Sequence, residues 1–108
     1  MKFRYPLLVV YFVLTVQVGL AQNTYVPDDN FELALIDLGY DDTLDDSVLT
    51  ANISSVTSLD VEYQEISDLT GIEGFTALTS LFCKGNQLTS LDLSNNTALT
   101  YLECHLNQ

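Results

Sequence analysis

Three groups of side chains in this sequence have types and spacings that could do chemistry. They are the cysteines Cys83 and Cys104, the single histidine His105, and the acidic run Asp41, Asp42, Asp45 and Asp46. An EF-hand calcium loop alternates its acids, carries Gly at its sixth position and ends in Glu. The acidic run has none of that spacing, so it reads as a solvated connector able to cap a short helical turn. His105 falls on an outward strand position, and no nucleophile, orienting group or oxyanion donor converges on it. There is also no phosphate-binding loop, dinucleotide glycine motif or zinc-protease motif. No catalytic residue, metal or cofactor is expected.

The cysteines point away from chemistry and toward architecture. A pair in a secreted chain invites a disulfide, and neighbouring parallel strands, about 4.8 Å apart, would permit one. Yet their separation of 21 residues matches a repeat in the surrounding sequence. Units begin at Val56, Leu78 and Leu99, in steps of 22 and 21. Four positions recur together: Val56, Leu78, Leu99; Leu59, Leu81, Leu102; Val61, Cys83, Cys104; and Asn86, Asn107, with Gln64 in the amide position of the first unit. The cysteines therefore read as stacked thiols in one apolar column, where Cys packs as a small hydrophobe. The disulfide remains the alternative.

Periodicity of 20 to 29 residues with the pattern L-x-x-L-x-L-x-x-N is the leucine-rich-repeat signature, one short strand per unit in a parallel sheet. Strand alternation directs Leu81 and Cys83 inward and Ser80, Phe82 and Lys84 outward. Asn86 and Asn107 stand where the chain bends, suited to pair backbone groups the bend leaves open. Leu88, Leu91 and Leu93 close the turn from the convex side. The expected fold is α/β: a leucine-rich-repeat solenoid with a short curved parallel sheet and an N-terminal helical cap.

The cap is expected from PDDNFELALIDLG, residues 27 to 39. Pro27 and Asp28 to Asn30 are helix-start signals, Phe31, Leu33, Ala34, Leu35 and Leu38 lie mostly at helical spacing, and Gly39 is a stop. The predicted organisation is a signal peptide over 1–21, a cap with one helix (about 28–38) over 22–55, and repeats over 56–108, divided as 56–77, 78–98 and an incomplete 99–108. The signal peptide rests on Lys2 and Arg4, the apolar stretch Leu7 to Leu20, and the small-residue exit Gly19-Leu20-Ala21. No cysteine lies near residue 21, which excludes a lipid anchor there. Cleavage would leave one Lys against 15 acids, a net charge of −14. That balance argues against nucleic acid and anionic membranes, and no stable membrane span is expected after cleavage.

The unit from Val56 to Ala77, with its ISDLTGIEGFTAL, resembles the 22-residue repeats of the internalin group of bacterial surface proteins. The unit Leu78 to Ala98, LTSLFCKGNQLTSLDLSNNTA, is similar to the nested 21-residue type called IRREKO, in which two half-units carry one phrase. Here Leu81 to Leu91 is 10 residues and Leu91 to Leu102 is 11, and the phrases that start at Leu81, Leu91 and Leu102 reach Asn86, Asn96 and Asn107. The opening TYVPDDNFE also resembles segments that precede repeats in such proteins. The sequons Asn52-Ile53-Ser54 and Asn95-Asn96-Thr97 read as turn residues, because the bacterial resemblance implies that the signal goes unread.

These features imply a secreted or cell-surface, non-enzymatic recognition module that binds a protein or extracellular glycan through its concave face. The contact columns expected from register are Ser58, Ser80, Tyr101; Asp60, Phe82, Glu103; and Glu62, Lys84, His105. The alternatives are a spacer or N-terminal part of a larger secreted enzyme or adhesin, or a truncated gene product without independent function. The break at HLNQ favours a longer protein, since a chain closing there would expose a strand edge and self-associate.

Overall fold

The repeat phrase stacks because each copy pairs with the next along its backbone. In the computed structural model, which describes residues 22–108, strands β3 (Ser58–Asp60), β4 (Ser80–Phe82) and β5 (Tyr101–Glu103) form a parallel sheet in that order. The register aligns Ser58, Ser80 and Tyr101, then Leu59, Leu81 and Leu102, then Asp60, Phe82 and Glu103. The signal-peptide segment lies outside the described residues.

Alternation along each strand buries Leu59 and Leu81, and beyond the strands Val61 and Cys83 continue the inward row. The chain then turns through a left-handed residue in each unit: Tyr63 at φ 56°, Gly85 at φ 74° and Leu106 at φ 60°. The next position is the amide. Asn86 is buried and its carboxamide oxygen accepts the Gln64 and Ile66 N–H groups, both at 3.0 Å. Its nitrogen donates to the carbonyls of Val61 at 2.9 Å and Cys83 at 3.0 Å. One side chain thus satisfies backbone groups from two successive turns, groups that burial would otherwise leave unpaired. Asn107 repeats part of this set, accepting from Leu88 N–H and donating to the Cys83 and Cys104 carbonyls.

The other half of the nested phrase behaves differently. Leu91 and Leu93 form no strand and are only partly buried against the core. Asn96 is nevertheless buried, and its nitrogen donates to the Ile72 carbonyl at 2.9 Å and the Phe75 carbonyl at 3.1 Å. The amide role is therefore used on both sides of the coil. Ile66, Leu69, Ile72, Phe75, Leu78 and Leu88 fill the space between.

Two inward positions depart from expectation. Leu102 is 41% exposed and the Cys104 thiol is exposed, because β5 pairs on one side only among the described residues and no further turn covers its inner row. Cys83 is buried, and both thiols are free.

Before the repeats, helix α1 (Asp29–Asp37) packs across the open end of the first turn. Phe31, Ala34 and Leu35 are buried, and the Phe31 and Phe75 rings stack with centroids 6.5 Å apart. Asp28 ties the two parts together. Its Oδ1 accepts the Asn30 and Phe31 N–H groups at the helix start, and its Oδ2 accepts those of Ser67 and Asp68 in the first repeat, at 2.9 and 3.0 Å. A hairpin-like pair, β1 (Asn23–Tyr25) antiparallel to β2 (Ser47–Leu49), and a second short helix, α2 (Thr50–Ile53), were absent from the expected single-helix arrangement. The strands are only three residues long and carry no alternating apolar run, so periodicity does not reveal them.

The amide arrangement makes a sharp prediction. Asn86→Ala leaves two N–H groups and two carbonyls unpaired in the interior, which should destabilise folding by about 3–5 kcal/mol in urea titration. Asn107→Ala, at the half-exposed margin, should cost less than about 2 kcal/mol. Equal losses would contradict this account of the bend.

Candidate functional site: the outward face of the parallel sheet

The strand register that buries Leu59 and Leu81 turns their neighbours outward in three columns. Across the face, facing positions on adjacent strands lie about 4.8 Å apart. Phe82 sits at the centre, between Asp60 on β3 and Glu103 on β5. Its ring meets Tyr101 with centroids 5.4 Å apart and planes tilted by 42°. The Tyr101 hydroxyl donates to Glu103 Oε2 at 3.2 Å, and Lys84 Nζ lies 3.9 Å from Glu103 Oε1.

Six of the nine expected contact residues are thereby drawn into one patch: Asp60, Glu62, Phe82, Lys84, Tyr101 and Glu103. Ser58 and Ser80 lie at its margin, and among the described residues their hydroxyls make no hydrogen bond. His105 is exposed, and among the described residues its backbone carbonyl alone is engaged, by the Gly85 N–H and the Asn107 amide.

Tyr63 also belongs to the patch, although its position in the turn did not mark it as a strand residue. Its left-handed backbone swings the ring toward Lys84, whose ammonium stands 5.6 Å from the ring centroid. Space for the ring exists because the equivalent residue one turn on is Gly85: a Cβ there would lie 2.2 Å from Tyr63 Cδ1. Aligning Glu62-Tyr63-Gln64 with Lys84-Gly85-Asn86 contains that signal.

The patch is electrically unbalanced. Burial pushes the Glu62 carboxyl above its ordinary value of 4.5, and the Asp60 and Glu103 carboxylates add to the rise while Lys84 opposes it. Glu62 Oε2 is shielded from solvent and has no hydrogen-bond partner. Protonation would let it share a hydrogen with Glu103. The charge of the Tyr63 phenol oxygen first, and then Glu62 and Glu103, hold the Lys84 ammonium above its usual range, against an opposing effect of desolvation. The hydrogen bond to Glu103 raises the Tyr101 phenol likewise.

The acidic run near the helix has a different arrangement from this face. Carboxylate oxygens of Glu32, Asp41 and Asp45, and of Asp29, Glu32 and Asp46, come within 4.8 Å of one another. Both groupings share Glu32, which is fully buried. Its oxygens already accept the N–H groups of Asp45 at 3.0 Å and Asp46 at 2.8 Å, so it serves as a staple for the connector. Asp41, Asp42, Asp45 and Asp46 themselves lie on that connector, as its sequence implies.

A stacked ladder with inward Leu rows, an outward patch and an amide side chain at each bend, Asn86 buried among them, defines a leucine-rich-repeat protein. Comparison with protein-family models finds no match. Over 85 residues, 77% of this chain, the sequence is 41% identical to internalin J of Listeria monocytogenes serotype 4b, and those residues span 9% of that protein. Internalin J of serovar 1/2a gives the same identity over 10% of its length. The chain thus spans about a tenth of the curated relatives it matches. Among solved structures, the functional domain of L. monocytogenes InlJ, described as including a cysteine ladder, superposes with a TM-score of 0.68 at 40% identity, over 81% of this chain and 20% of that one. Internalin C2 of the same species gives a TM-score of 0.69 at 27% identity, over 80% and 40% respectively. The chain is a bacterial, internalin-like leucine-rich-repeat protein segment.

The imbalance at Glu62 predicts a pH effect. A carboxyl with a raised folded pKa binds its proton more tightly when folded, so its contribution favours the folded state in acid and is lost as pH rises from about 4.5 through the raised value. Glu62→Gln, which mimics the protonated form, should therefore melt at a higher temperature than the parent at pH 7. The difference should vanish near about pH 4. A variant less stable than the parent at both pH values would refute the assignment.

Proposed function

We propose that this chain is the recognition part of a secreted or cell-surface bacterial protein, non-enzymatic, binding a protein through the concave outer face of its repeats. The observation that carries this reading is the convergence of Phe82, Tyr101, Tyr63 and Lys84 with three carboxylates on a single face of the sheet. Aromatic groups on a rigid platform supply most of the energy at binding hot spots. Tyr101 is 50% and Tyr63 is 60% exposed, so each has apolar area left to bury in a complex. A surface glycan is the other ligand class that aromatic and acidic side chains suit.

Residues 56–108 form the repeats of a solenoid in this reading, and residues 22–55 its N-terminal cap. The positive start and apolar stretch of residues 1–21 act as the export signal. Among the described residues no helix is long and apolar enough to cross a membrane, and an acidic exterior disfavours nucleic acid. Cys83 and Cys104 act as two rungs of a thiol column comparable with the cysteine ladder described for InlJ. Burial first, and then the neighbouring Cys104 thiol, push the Cys83 thiol up to about 11, which keeps it protonated and unreactive at neutral pH.

The test is capture from a panel of purified extracellular proteins and an array of surface glycans. Replacing Phe82 and Tyr101 by Ser should weaken a captured ligand by roughly 10- to 100-fold, with an unchanged melting temperature. Undiminished capture by the folded double variant would overturn the assignment of this face.

A further inference from the structure

The charges on the outer face constrain what it can receive. Three carboxylates, Asp60, Glu62 and Glu103, surround Phe82, and Lys84 is the only cation among them. That ammonium is already committed to Glu103 at 3.9 Å and to the Tyr63 ring. Neither Asp60 nor Glu62 has a cationic partner among the described residues. Asp60 Oδ1 accepts the Glu62 N–H at 3.1 Å, a backbone contact that leaves its charge uncompensated. Glu62 Oε2 is shielded from water and has no hydrogen-bond donor, so this carboxylate is also poorly compensated by the protein.

Resting on the recognition reading, we propose that the occupant of this face is a cationic segment of a protein partner. A Lys or Arg side chain lies along Phe82 and Tyr101, with its head group between the carboxylates of Asp60 and Glu62. Charge complementarity selects this occupant. A Lys or Arg stem packs on apolar rings while its head meets an anion, and a cation within about 6 Å of an aromatic face gains further attraction. The rest of the chain acts in the same direction, since residues 22–108 carry one Lys against 15 acids. Such a field raises the encounter rate with cationic partners and repels anionic ones.

A neutral sugar fits less well. It would leave the negative excess uncompensated, and the 42° tilt between Phe82 and Tyr101 denies a pyranose ring one flat platform across both. The Tyr101 hydroxyl, the natural donor to a sugar on this face, is held by Glu103.

The experiment uses the full chain and three fluorescent 12-residue peptides that differ only in carrying Lys, Glu or Ser at alternate positions. The Lys peptide should bind, and the Glu and Ser peptides should bind at least about tenfold more weakly. Asp60→Asn with Glu62→Gln should weaken the Lys peptide about tenfold, and Phe82→Ser about fivefold. Removing the same charge at the exposed Asp29 and Asp42, away from the face, should change it less than about twofold. Lys84→Met, which deletes the competing cation, should tighten it by about threefold.

Equal weakening by the two charge-matched pairs, looser binding by Lys84→Met, or no binding of the Lys peptide at millimolar concentration would each overturn the proposal. Phe82→Tyr keeps a ring in place and should bind nearly as the parent, which separates loss of the aromatic from loss of folding. The two readings fail differently. If captured neutral or acidic ligands are lost on changing Phe82 and Tyr101 while the Lys peptide ignores the face, recognition stands and the cationic occupant falls. If no ligand depends on the face, both fall.

Discussion

The fold depends on how a chain can bend sharply in its own interior without stranding backbone polar groups. Each coil must leave its strand, turn inward and start its return within a few residues, and those residues cannot pair in a sheet. A carboxamide is suited to that gap because it carries two donors and an acceptor with two lone pairs in one small planar group. Asn86 uses both ends, receiving N–H groups from the preceding turn and donating to carbonyls on either side of the stack. A Leu at this position would pack, but it would leave four polar groups unanswered. Sheet register, core rows and outer columns follow once the bend is fixed, because each coil then starts its next strand at the same height.

The same logic governs the junction at the first turn, with charge in place of an amide. Asp28 distributes its two oxygens between the start of α1 and the N–H groups of Ser67 and Asp68. Glu32, one turn along the helix, is fully buried and holds the connector through Asp45 and Asp46. Acids that would be read as helix-start preferences thus act as long-range ties. A buried carboxylate is tolerable only with such donors, and backbone N–H groups supply them without a countercharge.

The repeat phrase made the parallel register, the inward Leu rows, the buried Cys83 and the outer columns legible in the sequence, because each is a strict consequence of period 2 within period 21 or 22. The helix over Asp29–Asp37 was legible from Asp28 and Gly39. Less visible were features set by tertiary contact. The β1–β2 pair joins residues too few to show alternation, Glu32 has the spacing of an acid that suits a helix start and nothing in the sequence marks its burial, and Asn96 lies in a half-phrase that forms no strand. On the outer face, register placed Phe82 between Asp60 and Glu103, but it could not show that Lys84 leans toward Tyr63. That contact depends on the left-handed backbone at Tyr63, and the one residue type that hints at it is the Gly85 aligned with it in the next coil.

The left-handed position one residue before each amide therefore links one coil to the next in a way the apolar rows do not. Tyr63 lays its ring over the site where Gly85 lacks a side chain, and Leu106 follows at the same height one coil later. Bulk at this position needs vacancy in the adjoining coil, so residue sizes along the column are coupled in pairs. A leucine-rich ladder can vary its outer columns freely, but along this rim a large residue must be answered by a small one. Where the first two coils meet, the rim therefore pairs a large residue with a small one, a match that marks them as neighbours.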